Sequence, residues 1–464
     1  MDVASHIQAP RQRAGRIKCP ETGPTGQALR QPSGILQDSP SDLIQLEALS
    51  LVMDVTSPPG KHSYRVLSGF AMETFTQSRR TFLTTLAALL LDSWSLSRGF
   101  ASVDHPADLS LQDQSKVIVV LCGGIRREDT FAKEGLANIP HLCTDLLPKS
   151  ILYPFVHNAG VTSHFNTISS ILTGTWQRLD DWGKTAPNTP TLFEYLRKER
   201  QWSEDRTWFI SSNKALTNRI GASSVRDFGP GYGANVMFPK QLLIDAVVYA
   251  ASKGKASRSA DPYKMQPELA AMLEANNYEG LGWSVSGESS ILNASARATV
   301  SQAIQDLLHA NAPITGDEFT FLVGTEVMRR FAPSLLVLTF SDMEVAHFGS
   351  YSMHLAGIRT VDRLVYELWN QVEANPAYKG KTTLFVLPEF GRDLDGSVTN
   401  GFFNHREDCD STRLTWMICT GEGVKPGDLS ERVVQSIDIC PTILHLFGLD
   451  PAQVAGKALS EMQV

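Results

Sequence analysis

Residues 116–121 read KVIVVL, an unbroken apolar run that stops at Cys122-Gly123-Gly124. A strand without polar alternation is one buried on both faces, and the glycines after it mark a tight turn. Five more runs share this character, at 151–156, 207–210, 334–340, 382–387 and 414–419. Between them apolar positions recur at helical spacing over 166–172, 190–198, 241–252, 353–374 and 433–446. Strands alternating with helices predict βαβ units, and so a three-layer α/β sandwich around a mostly parallel central sheet. Ligands of such sheets bind beyond the carboxyl ends of the strands. The rhythm breaks between about 220 and 330. There a glycine-rich stretch (228–233), a polar one (253–262) and helical patterns at 266–275 and 296–310 predict an inserted cap region.

The beginning of the chain has a different texture. Residues 1–71 are rich in Pro and Gly and show no sustained periodicity, only a weak amphipathic pattern over 42–55. They read as a disordered, non-native extension. Ser78-Arg79-Arg80-Thr81-Phe82-Leu83 then leads into a short apolar run over 82–91, and Gly99-Phe100-Ala101 supplies a small-x-small exit. Basic start, short apolar run and small-residue exit describe a secretory signal, and the paired arginines resemble the twin-arginine type, whose cargo crosses the membrane folded. Met72 stands just before it. Translation is therefore expected to start near Met72, with 72–101 the signal peptide and 102–464 the exported domain. The twin-arginine export machinery is then a partner, and the destination is periplasmic or extracellular. No stretch of 18 apolar residues exists, so no membrane span is expected in the mature chain.

Charge narrows the partners. The formal balance is −7 and no Lys/Arg-rich run occurs, which excludes nucleic acid as the main ligand. The six cysteines are scattered without a C-x-x-C pair and read as small buried apolar residues.

Polar residues gather where the strand candidates end. The first such segment is 122–129, with Arg126 and Arg127. The second is 158–166, with Asn158, Thr162, Ser163 and His164. The third is 341–349, with Asp342 and His347, and the fourth begins at 388 with Glu389 and Arg392 and runs on to His405. Asp, Glu and His from separate loops can converge on one hard or borderline cation. A hydroxyl at a helix start can attack or bind a phosphate or sulfate, although most such residues are simple N-caps. Arg126, Arg127 and Arg392, with Asn158, are candidates for holding an anionic ester.

The order of these segments resembles the alkaline phosphatase superfamily, which includes sulfatases, nucleotide pyrophosphatases and cofactor-independent phosphomutases. KVIVVLCGG is similar to its opening strand, and TSHFNTISSILTG to its nucleophile helix, which ends in Thr-Gly. FSDMEVAHFG resembles its Asp…His metal pair, and TLFVLPEFG takes the place of the strand ending in Asp-His-Gly. NHREDCDSTRLTWMICTGEGVKPG resembles the last ligand histidine and the strand after it, and VVQSIDICPTILHLFGL the terminal helix. The resemblance spans roughly 115–450. It implies an alkaline-phosphatase-like fold and one or two divalent metals among Zn, Mn, Mg and Ca. One metal would be held by Asp342, His347 and His405.

Departures fall on the other metal. Gly123 stands where the superfamily has its first Asp, and Glu389 and Phe390 stand where it has Asp-His. Glu389 would then contribute to a weakened second site. The usual nucleophile spacing before Gly174 lands on His164, with Ser163 one residue and Thr162 two residues earlier. Thr162 is the first candidate to attack and Ser163 the second, with His164 a ligand or acid. The resemblance thus implies an exported metal-dependent hydrolase of phosphate or sulfate esters acting on a small anionic ester. The alternative is a degenerate member that binds a ligand without turnover.

Overall fold

A computed structural model describes residues 114–240, 315–394, 401–407, 409–430 and 432–462. The expected leader, the extension before it and the interior of the expected cap lie outside the described residues. The long strands fall where the apolar runs predict them: β1 (Lys116–Cys122), β2 (Ser150–His157), β3 (Thr207–Ser211), β5 (Leu335–Phe340), β6 (Thr382–Leu387) and β7 (Leu414–Gly421). Three short ones, β4 (Asn235–Met237), β8 (Asp428–Leu429) and β9 (Val434–Gln435), extend the edges. The sheet runs β4-β3-β5-β1-β6-β7-β2-β8, with β9 also paired to β2. All pairings are parallel except those of β7, which is antiparallel to both β6 and β2.

Each face of this sheet carries its own apolar layer, and β1 shows why its sequence cannot alternate. Ile118, Val120 and Cys122 enter one core together with α3 (Gly316–Phe331) and α4 (Tyr351–Ala374), through Phe319, Val323, Ile358 and Val365. Val117, Val119 and Leu121 enter the other, against α1 (His164–Thr173), α2 (Leu192–Glu199) and α5 (Ile439–Leu446), through Ile168, Phe193 and Ile443. The result is a three-layer α/β sandwich with a mixed, mostly parallel sheet, the expected class. Within the stretch read from sequence as a cap, β4 pairs with β3, and α3 covers the sheet. A Thr315–Glu318 capping box starts α3. The helical pattern read at 433–446 begins instead as strand β9 and becomes α5 only from Ile439. Among the described residues no helix is long and apolar enough to cross a membrane.

Because β1, β2, β5 and β6 run in one direction and β7 in the other, the segments after the first four and before β7 share one edge of the sheet. Every candidate residue that follows lies along that edge.

Candidate metal centre

Ser163 precedes α1 in extended conformation, and His164 is the helix's first residue. Asn158 shapes the loop that delivers it, accepting from Gly160 N at 2.9 Å and donating to Thr167 Oγ1 at 2.9 Å. The segment after β5 is a 3-10 turn, Asp342–Phe348. In such a turn residues three apart eclipse one another. Glu344 and His347 therefore share a face, with Glu344 Oε2 3.2 Å from His347 Nε2. His405 arrives from the loop before β7, and its Nε2 lies 3.1 Å from His347 Nε2. His164 completes the group, with Nε2 3.3 Å from the same Glu344 oxygen.

These four side chains offer ligand atoms that all lie within 4.8 Å of one another. A tetrahedral site with bonds of about 2.1 Å has ligand–ligand edges of about 3.4 Å. The 3.1, 3.2 and 3.3 Å contacts match that spacing. Tautomers support the fit. His405 Nδ1 donates to the Thr162 carbonyl at 2.6 Å, and His164 Nδ1 donates to Glu389 Oε2 at 2.7 Å. The neutral His405 ring thus carries its proton on Nδ1 and turns an Nε2 lone pair toward the cluster, and Glu389 orients the His164 ring from behind, the arrangement that partners behind metal-bound histidines impose. His164 Nε2 is buried with only the 3.3 Å contact to Glu344 Oε2, so a bound cation would take the place of the proton that this ion pair holds there. The residues present fit one divalent ion.

Electrostatics set the charge of each member. Burial works against charge on Glu344, but the Arg392 guanidinium and His164 outweigh it and hold this carboxyl well below the usual range. Burial likewise opposes protonation of His164, yet Glu344 and Glu389 on either side raise its pKa well above normal. His405 moves the other way. Burial, then the positive charges of His164 and Arg392, push it down to about 3, so its imidazole is neutral. Burial raises Glu389 above the ordinary range, with His164 opposing.

Not every residue singled out from sequence reaches the cluster. Asp342 points to the first turn of α3, where it accepts from Asp317 N at 3.1 Å, and Asp317 returns the contact by accepting from Asp342 N at 3.0 Å. Burial raises the pKa of both carboxyls. Asp342 stands five residues before His347 in a three-residue-per-turn helix, which puts the two on different faces. Glu344 takes the place expected for it. Glu389 sits behind His164 as its orienting carboxylate. Thr162 Oγ1 donates to the His405 carbonyl at 2.9 Å, and Ser163 Oγ donates to Asp181 Oδ1 at 2.7 Å. Both hydroxyls are thus spent on structure.

The candidate anion-binding groups are engaged as well. Arg126 binds Asp129 through two nitrogens, at 2.8 and 3.0 Å, and Arg127 lies over the Phe155 ring at 4.5 Å. Asn158 is committed to its loop. Arg392 is fully buried against Glu344. Sequence reasoning did not single out the network behind the turn, in which His354 Nδ1 donates to the Met343 carbonyl at 2.8 Å and Tyr351 donates to Asp129 at 2.6 Å. Cys122, Cys143, Cys419 and Cys440 are buried, as expected of apolar fillers, while Cys409 is only half-buried and contacts Ser411 Oγ at 3.1 Å.

No family model matches the sequence, and a search of curated proteins finds no match. Solved structures do. A protein of the alkaline phosphatase superfamily from Vibrio parahaemolyticus aligns at 12% identity over 79% of this chain and 77% of its own, with a TM-score of 0.41. The phosphonate monoester hydrolase of Agrobacterium radiobacter aligns at 14% identity over 75% and 77%, with a TM-score of 0.45. The wild-type alkaline phosphatase PafA aligns at 10% identity over 75% and 99%, with a TM-score of 0.46.

Proposed function

We propose that this chain is an exported metal-dependent hydrolase of phosphate or sulfate esters. The observation that carries the reading is the convergence of three imidazole nitrogens and one carboxylate oxygen at the strand ends, two of the rings already oriented by hydrogen bonds at Nδ1. His164, Glu344, His347 and His405 would hold the ion, and Glu389 and the Thr162 carbonyl hold the protons on the far sides of His164 and His405. A divalent ion there supplies Lewis acidity that polarises an ester oxygen and acidifies water. The protein's own part is to keep four donors in register before the ion arrives. Arg392 anchors Glu344, and the ring of Phe390 packs 4.3 Å from His405 and 4.9 Å from His164, shielding that side from water.

The test is turnover of aryl phosphates, phosphodiesters and aryl sulfates by the purified chain with Zn²⁺, Mn²⁺, Mg²⁺ or Ca²⁺ added. Activity with at least one ester, lost on His347→Ala, is expected. Tight metal binding with no turnover would instead favour the second reading, a ligand-binding protein on an enzyme scaffold. The spent Thr162 and Ser163 hydroxyls are the specific support for that alternative. Export rests on the 78–101 segment, and amino-terminal sequencing of the secreted protein checks it: a mature chain beginning near residue 102 is expected.

A further inference from the structure

Resting on the metal reading above, we infer that this centre takes a single divalent ion, and that the buried guanidinium of Arg392 permanently holds the place of a second. Of the one or two ions that the superfamily resemblance implies, the second would be held by an Asp after the first strand and by the Asp-His after a later one. Those positions are Gly123, Glu389 and Phe390 here. The structure closes that place rather than leaving it short of ligands. Gly123 adopts φ +37°, and a Cβ on it would fall 2.4 Å from Glu344 Oε1 and 2.8 Å from Met343 Sδ. The carboxylate missing from the end of β1 has thus been replaced in space by one delivered from the turn after β5.

Arg392 fills what remains. Its side chain is wholly buried, with Nε donating to the Gly124 carbonyl at 2.7 Å, Nη1 to the Phe402 carbonyl at 3.2 Å and Nη2 to Glu344 Oε2. Gly124 N donates to Glu344 Oε1 at 2.5 Å, so the carboxylate is gripped from both ends. A Cβ on Gly124 would meet the Phe390 ring at 2.8 Å and Arg392 Nη2 at 3.3 Å. Phenyl ring and guanidinium therefore pack directly against the turn where a second ion would need ligands. Among the described residues, the donor left unspent at that place is Glu389 Oε1, which makes no hydrogen bond. A single oxygen falls short of the three or four donors a divalent ion requires. A second dication would also face a fixed cation in a site of low dielectric, where like charges repel strongly. Arg392 is accordingly a positioning residue: it supplies one unit of positive charge at no cost in ligands and holds Glu344 toward the histidines.

The experiment is a titration of the chelator-stripped full chain with Zn²⁺ and with Mn²⁺ by calorimetry, with elemental analysis of the loaded protein. One equivalent per chain is expected. Two equivalents would overturn the inference and leave the metal reading standing. No bound ion would overturn both. Arg392→Lys keeps the charge but loses the fork that grips Glu344 and Gly124 together. It is expected to bind one ion about tenfold or more weakly, in the range for partners behind metal ligands. Unchanged affinity in a folded variant would remove Arg392 from this role. The electron paramagnetic resonance of the Mn²⁺ form checks the count independently of affinity: a six-line spectrum of an isolated ion is expected, and the broadened signal of a coupled pair would overturn the single-ion assignment.

Discussion

Thr162 and His405 are clamped to each other by two hydrogen bonds of opposite sense. The Thr162 hydroxyl donates to the His405 carbonyl at 2.9 Å, and the His405 ring donates from Nδ1 to the Thr162 carbonyl at 2.6 Å. The residue that sequence order ranks first as nucleophile is thus a clasp for the His405 ring, and its contribution to that ring runs through the main chain. Thr162→Val keeps that carbonyl and removes only the hydroxyl. It is expected to cost about 1 kcal/mol of stability, the worth of one hydrogen bond, and to leave turnover within about threefold. A thousandfold loss of kcat in a folded variant would restore Thr162 as the attacking group.

Gly123 has two independent reasons to be glycine, its positive φ and the Glu344 oxygen where a Cβ would stand. Gly123→Ala must displace the carboxylate or distort the turn. The expected penalty is on the order of 3 kcal/mol, read as a fall in the urea midpoint at constant slope. Because the displaced atom belongs to Glu344, metal affinity should fall with it. A variant that loses stability but binds the ion as the parent does would separate Glu344 from the ligand set.

Lys116 begins β1 and is buried, with Nζ donating to the Ala332 carbonyl at 2.6 Å. Burial, then the nearby charges of Arg206 and Lys381, lower its pKa from 10.5 to about 7. Between pH 7 and pH 10.5 the folded chain has released this proton while the unfolded chain still holds it. The unfolded state then binds more protons, so stability from this group rises with pH across that window. Relative to Lys116→Met, the parent should gain on the order of 2 kcal/mol between pH 7 and pH 10. Denaturant midpoints of both proteins at the two pH values measure it, and a constant difference would show that Lys116 does not titrate early.

The layers were legible because they follow from burial on two faces. KVIVVL can hardly be anything but a central strand, since Val117 and Ile118 must enter opposite cores. Strands of two or three residues, such as β8 and β9, carry too few positions for any period to show. The helix α3 had a readable start in Thr315-Gly316-Asp317-Glu318, a capping box masked by its assignment to the cap. At the site, His347 and His405, expected from the order of motifs, lie in the His/Glu cluster. Glu344 lies between Asp342 and His347, and a pairing by sequence spacing does not single it out because it ignores that a 3-10 turn brings positions three apart together. The partners behind the ligands join distant segments, as Arg392 does with Gly124, and no local pattern encodes such a contact.

Glu389 shows how much of the site lies behind the four clustered side chains. Its Oε2 accepts the His164 Nδ1 proton at 2.7 Å, in a position where burial penalises its charge. A carboxylate so placed fixes the ring's orientation and makes its far nitrogen a stronger donor. Glu389→Gln can still accept that proton through its amide oxygen, so the ring should stay where it is while the charge is gone. The expected result is one equivalent of Zn²⁺ bound 10- to 100-fold more weakly, with the visible spectrum of the Co²⁺ form retained in shape. Calorimetry and that spectrum read affinity and geometry separately. If affinity is untouched, Glu389 is a bystander. If the spectrum changes along with the affinity, Glu389 is itself a ligand and the four-donor assignment fails.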